Sequence, residues 1–243
     1  IMNISKIANL KFFFTNTKNL SRFLGLFTFI LFFFGIYWGL YVAPSDYLQG
    51  ESYRIMYLHV PAAWLSLQVY MFMAITGFVS LVWKVKIMEI ISIQCAPIGA
   101  YFTLIALVTG MVWGKPTWGT YWVWDARLTS ELILLFLYIG VIALYSAFSD
   151  KRQAVKITSL LAIVGLVNIP IIHYSVEWWN TLHQGPSVTK FEQPSMHISM
   201  LLPLLYMFLV FNVYFIAVLI KRVQLGIYNR EKRSKWMEDY LSD

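Results

Sequence analysis

Six stretches of the chain are apolar almost throughout, at about 23–43, 60–83, 95–113, 129–148, 157–176 and 197–220. A helix needs roughly 20 such residues to cross a hydrocarbon core of about 30 Å, and each stretch meets or nearly meets that length. The pattern predicts six transmembrane helices and an all-α, polytopic membrane protein. The connecting segments are short, the longest about twenty residues between 176 and 197, so residues 1–243 read as one integral membrane domain with no separate soluble part. Composition agrees: 59% of residues are hydrophobic, 13% are charged, and mean hydropathy is +0.63, values that a soluble surface does not sustain.

Charge gives the layers a direction. Lys6, Lys11, Lys18 and Arg22 precede the first stretch, and Lys84 and Lys86 follow the second. Lys151, Arg152 and Lys156 follow the fourth, and six more basic residues lie between Lys221 and Lys235. Only Arg54, Lys115, Arg127 and Lys190 fall on the other side. By the positive-inside rule both termini are cytoplasmic, or in the matrix of a mitochondrion. The net charge of +7 is then mainly a topology signal, and nucleic-acid binding is excluded as a function. The basic start followed by a spanning-length apolar stretch, without a small-residue cleavage site, reads as a retained first helix.

Several chemistries are missing. Cys95 is the single cysteine, there is no Cys-x-x-Cys-His for covalent heme attachment, and no Gly-x-x-x-x-Gly-Lys-Ser/Thr for nucleotide hydrolysis. Chemically capable residues gather instead in the outer segments 44–59, 113–128 and 176–197. The run Trp113-Gly-Lys-Pro-Thr-Trp-Gly-Thr-Tyr-Trp-Val-Trp124 holds four of the ten tryptophans, Trp113, Trp118, Trp122 and Trp124, and leads into Asp125-Ala-Arg127. An interfacial aromatic belt explains one or two rings per helix end, as at Trp38, Trp64, Trp83 and Trp236, but not four in one loop between the third and fourth helices. Flat apolar rings beside cations suit a flat, largely apolar ligand with anionic edges, heme foremost.

His59 stands just before the second stretch, with Pro61 suited to a first helical turn. His183 lies in an outer segment turned by Gly185-Pro186. Two imidazoles can ligate a heme iron from opposite faces; a lone histidine at a helix end is otherwise an interfacial residue bonded to backbone or water. His173 is a candidate to line the same cavity, and His197 to cap the last helix. Arg54 and Arg127 are the outer arginines, shaped to bind a propionate with two hydrogen bonds; Arg127 could equally pair with Asp125 or Glu131. Glu131 lies about a turn inside a span, where a carboxylate implies a functional role. Gly35-x-x-x-Gly39 would allow close helix packing.

The run from Trp113 through Asp125-Ala-Arg-Leu-Thr-Ser-Glu131, flanked by His59 and His183 and supported by Tyr53-Arg54-Ile55 and Asn180-Thr-Leu-His-Gln-Gly185, resembles the heme exporter protein C family of the cytochrome c maturation system. The likeness is specific from about Ala43 through Gly185 and only topological outside it. It implies a six-helix protein that holds heme b on the periplasmic side of a bacterial inner membrane, with a mitochondrial inner membrane as the other home. His59 and His183 would be the axial ligands and the four tryptophans the platform for heme and chaperone, with Asp125 and Arg127 at its polar end. The heme would pass to a membrane-anchored heme chaperone (protein E), which an ABC-type complex of proteins A and B with the small membrane protein D then releases. The protein would thus deliver heme rather than catalyse. Two rival functions are weaker. A heme lyase acting directly on an apocytochrome carries more spans and histidine pairs. A b-type electron carrier needs a histidine on the inner half as well.

Overall fold

A computed structural model describes residues 9–185 and 195–242. Among them there is no strand, only an isolated bridge between Asp46 and Gly50. The helices are α1 (Leu10–Tyr37, prolonged by a π turn over Trp38–Val42), α2 (Met56–Trp83, entered through a 3-10 turn over Glu51–Ile55), α3 (Lys86–Trp118), α4 (Ala126–Ala147), α5 (Lys151–Gly165), α6 (Asn168–Trp178), α7 (Ile198–Glu231) and α8 (Lys235–Ser242). They form six rods long and apolar enough to cross a membrane. The chain is an all-α, polytopic membrane protein.

The rods alternate in direction, which collects the basic stretches at one end. Arg230 of α7 pairs with Glu89 of α3 at 2.7 Å, Lys18 lies 5.6 Å over the Tyr240 ring, and Lys151 donates to the carbonyls of Tyr145 and Phe148. The segments 44–55, 119–125 and 179–185 meet at the opposite end. Helices α2 and α3 make the most extensive contact; α4 and α5 pack beside them, and α7 carries α1. Aromatic side chains sit deep in the core, with Tyr57, Tyr70, Tyr138 and Phe102 fully buried. Gly35 and Gly39 give α1 its close approach. A Cβ at Gly35 would run into Tyr206 and Met207 of α7, and one at Gly39 would sit 2.7 Å from the Tyr57 ring, so the short motif is a packing motif.

Three boundaries depart from the sequence expectation. First, α3 continues to Trp118, so Trp113 and Trp118 stand on a helix and only Trp122 and Trp124 belong to the loop. The helix stops at Gly119, whose φ of +79° is left-handed and whose N–H reaches the Lys115 carbonyl at 3.1 Å, a cap that suits glycine. Second, the fifth rod is broken at Leu166–Val167. Pro170 cannot donate an N–H and would clash with the carbonyl four residues back, so the chain turns and Pro170 takes the first turn of α6. Third, α2 begins at Met56, which puts His59 inside the helix and Pro61 in its second turn.

Candidate functional site

His59 projects from the first turn of α2 toward α3. Its Nδ1 lies 2.9 Å from the Ala106 carbonyl oxygen and 3.1 Å from Thr109 Oγ1. A carbonyl only accepts, so Nδ1 carries the proton and Nε2 keeps its lone pair. The Thr109 hydroxyl is already oriented, donating to the Ile105 carbonyl at 2.6 Å. The ring can lie this close to α3 because residue 110 is glycine: a Cβ there would come within 2.9 Å of His59 Cε1. Trp113 meets the ring edge-on at 5.7 Å between centroids, and is itself held by its Nε1, which donates to Gln49 Oε1 at 2.8 Å.

His183 comes from the segment after α6 and shows the same arrangement. Its Nδ1 lies 2.9 Å from the Gln184 carbonyl oxygen, which again leaves Nε2 free, and its ring stands 6.0 Å from Trp118. The ring keeps some accessible surface at the mouth of the site. Loss of hydration, followed by the positive charge of Arg127, pushes its pKa down to about 4, against the opposing pull of the Gln184 carbonyl and Asp125. The imidazole is therefore neutral at physiological pH, the form that ligates a metal.

Both rings line an open cleft whose empty space, counting its mouth, is about 700 Å³. Trp113, Trp118 and Trp122 form aromatic walls; Gly110 and Gly114 flatten the α3 side; Arg127 and Glu131 are its charged groups. Arg127 is held by a bond from its guanidinium to the Ile172 carbonyl at 2.7 Å. Among the described residues it makes no ion pair, so the pairing with Asp125 or Glu131 that the sequence allowed is not formed. Asp125 caps α4 through Oδ1, which accepts from the Leu128 N–H at 2.8 Å. Its Oδ2, like the Nε1 of Trp122, is buried without a partner. Buried polar atoms are rarely left unpaired; of the six such atoms among the described residues, Trp122 Nε1 belongs to the cleft lining and Asp125 Oδ2 lies two residues before Arg127.

Other expected site residues lie elsewhere. Arg54 is not at the cleft. It pairs with Glu51 and donates to the carbonyls of Gly39 and Ala43 at 2.8 and 2.9 Å, because the π turn ending α1 turns those oxygens away from helical partners. Arg54→Ala is accordingly expected to cost on the order of 1–3 kcal/mol of stability, read as a lower Tm in detergent. Unchanged Tm with weakened ligand binding would mean that the guanidinium works in the cleft after all. Trp124 is 75% exposed and touches the site only through Trp122, 5.3 Å away. Lys115 folds back on the Gly119 carbonyl. His173 is exposed, beside Tyr174, and does not line the cleft, whereas His197 caps α7 as expected, its Nδ1 accepting from the Ser199 N–H. Pro186 and Lys190 lie outside the described residues. Sequence reading missed Gln49, Thr109 and Gly110; only the isolated glycine in a helix offered a signal.

Residues 3–238 match the profile of the heme exporter protein C family. The chain belongs to that family. It is 51% identical over 219 residues to heme exporter protein C of Haemophilus influenzae, covering 90% of this chain and 89% of the relative. With the same-named protein of Escherichia coli K12 it shares 52% over 207 residues, 85% and 83% of the two chains. A plant relative, described as a ccmC-like mitochondrial protein of cytochrome c biosynthesis from Marchantia polymorpha, is 52% identical over 180 residues, 74% of this chain and 75% of its own. Every cleft residue named above falls inside the region that matches the family.

Proposed function

We propose that this member of the heme exporter protein C family binds heme b in the cleft through His59 and His183 and delivers it to a membrane-anchored heme chaperone for cytochrome c maturation. The observation that carries the reading is the shared tautomer. Both imidazoles give their Nδ1–H to a backbone carbonyl and leave Nε2 unprotonated, the second contact that usually orients a metal-ligating histidine. Among the described residues no cluster of three His, Cys, Asp or Glu side chains could cage a bare ion, so two imidazoles suit an iron whose other four ligands come from a porphyrin. Trp113, Trp118 and Trp122 would pack on the macrocycle and exclude water. Arg127 would hold a propionate, with the unpaired Trp122 Nε1 as a further donor and Asp125 beside it at the polar end of the site.

Trp124, exposed beside Trp122, would meet the chaperone rather than the heme. No nucleotide-binding loop is present, so energy for releasing the loaded chaperone would come from the partner ABC-type proteins A and B with the small protein D. The basic end would face the cytoplasm and the cleft the periplasm of a bacterial inner membrane. The protein would act as a carrier and not as an enzyme.

The test is the visible spectrum of the detergent-purified protein with and without the co-expressed chaperone. A low-spin heme spectrum is expected, and heme-free protein under both conditions would overturn the reading. Trp118→Ala with Trp122→Ala should reduce heme content at least about tenfold, since each aromatic contact is worth about 0.5–1.5 kcal/mol beyond its area. Trp124→Ala should instead reduce chaperone co-purification with heme content kept. The reverse pattern would exchange the two assignments.

A further inference from the structure

The floor of the cleft holds a group for which heme ligation has no use. Glu131 is the only Asp, Glu, Lys or Arg side chain buried among the described residues, and it lies one helical turn beyond Arg127 on α4. Burial of a carboxylate at membrane depth is costly unless it is paired or neutralised. Its geometry accommodates both protonation states. Ser66 Oγ lies 2.7 Å from Glu131 Oε1 and 2.7 Å from the Ala63 carbonyl oxygen, yet a hydroxyl has one hydrogen. When Glu131 is ionised, Ser66 donates to it. When Glu131 is protonated, it donates to Ser66, whose hydrogen turns to Ala63. Neither state leaves a buried group unsatisfied. Ser66 is steadied from below by Tyr138, whose hydroxyl donates to the Ser66 carbonyl at 2.7 Å.

Arg127 supplies the other half. It faces the same cleft, has spent one recorded hydrogen bond on Ile172, and has no carboxylate within ion-pair distance among the described residues. Among the described residues Glu131 is the only acid that lines the cleft. A ligand carboxylate arriving at Arg127 would put two negative groups beside one positive one in a space of low dielectric, and under those conditions one carboxylate takes a proton.

We propose that Glu131 is the counter-charge of Arg127 in the empty cleft, that a ligand carboxylate replaces it there, and that one proton from water passes to Glu131 as the ligand enters. The cleft keeps its net charge: a guanidinium and one carboxylate before, the same guanidinium and the ligand's carboxylate after, with Glu131 neutral. The proposal rests on the cleft being the porphyrin site and makes Glu131 the residue that couples entry of a carboxylate-bearing ring to uptake of a proton. Around Glu131, Arg127 and Tyr138 are the titratable groups on its own helix, and His59 from α2 and His183 from the segment after α6 line the same cleft; Ser66 bonds it from α2, and Asp125, the cap of α4, acts on Arg127 and His183. From α3 no titratable side chain lines the cleft, with Cys95 behind Tyr138, and α5 and α6 add none to the lining.

The test uses the full chain in detergent, iron-free protoporphyrin IX as the probe, its dimethyl ester as the uncharged control, and tryptophan quenching as the readout. In the wild type, affinity for the diacid should fall with rising pH, by up to about tenfold per unit for one linked proton, while affinity for the ester stays flat. Glu131→Gln, which keeps an acceptor and donor for Ser66, should bind the diacid more tightly at alkaline pH and without the slope. Ser66→Ala should move the midpoint of the slope and keep the slope itself, a second variant should the first fold poorly. A slope that survives Glu131→Gln, or a Gln variant that binds the diacid more weakly, overturns the proposal while leaving the cleft as the porphyrin site. Absence of diacid binding in the wild type at every pH overturns both.

Discussion

His59→Ala and His183→Ala are each expected to strip heme from the purified protein, with retention falling at least about 100-fold. Loss of a group that merely orients a metal ligand already costs about 10–100-fold, and here a ligand itself is removed. The two variants should differ in their side effects. His59 is wedged against Gly110 and bonded to Ala106, so its removal leaves a hole at the α2–α3 contact, whereas His183 stands at the cleft mouth and its removal should leave Tm nearly unchanged. Adding free imidazole should restore part of the low-spin spectrum in either variant if the vacated space admits it as a ligand. Folded protein with undiminished heme in either variant would sink the ligand assignment and direct attention to the chaperone's own histidine.

The second large effect is expected at Arg127. Arg127→Leu removes the only Lys or Arg that lines the cleft among the described residues and would leave a propionate without its partner, which should weaken porphyrin binding by about 2 kcal/mol or more, about 30-fold. Arg127→Lys should recover part of that loss through charge alone, since an ammonium does not reproduce the two parallel bonds of a guanidinium. The dimethyl ester of the porphyrin should bind Arg127→Leu and wild type alike. Equal loss for acid and ester would mean that Arg127 serves only to tie α4 to the Ile172 carbonyl. Arg54→Leu supplies the contrast, because its guanidinium is committed to Gly39, Ala43 and Glu51.

The comparison of these two arginines shows where sequence reasoning stops. Both lie on the same side of the bundle, so residue type and topology rank them together. What separates them is a π turn at Trp38–Val42 that exposes two carbonyls near Arg54, and a helix start at Ala126 that turns Arg127 into the cleft. Neither feature has a local signature. The tryptophan run is a similar case. Its density predicts a binding surface, but the division into three cleft walls and one exposed ring follows from α3 running on to Trp118 and ending at the left-handed Gly119.

The sequence by itself determined that the chain crosses a membrane six times, that its basic segments share one end, and that two histidines and a tryptophan cluster share the other. These follow from local composition, because the cost of burying charge in hydrocarbon acts on each segment separately. Only the tertiary structure decided which nitrogen of each histidine is free, which arginine faces the cleft, and how the one carboxylate buried among the described residues is held. Each of those depends on contacts between residues far apart in sequence, such as Ser66 with Glu131 and His59 with Ala106, and a hydrogen bond across helices is set by how the rods pack, which no single segment records.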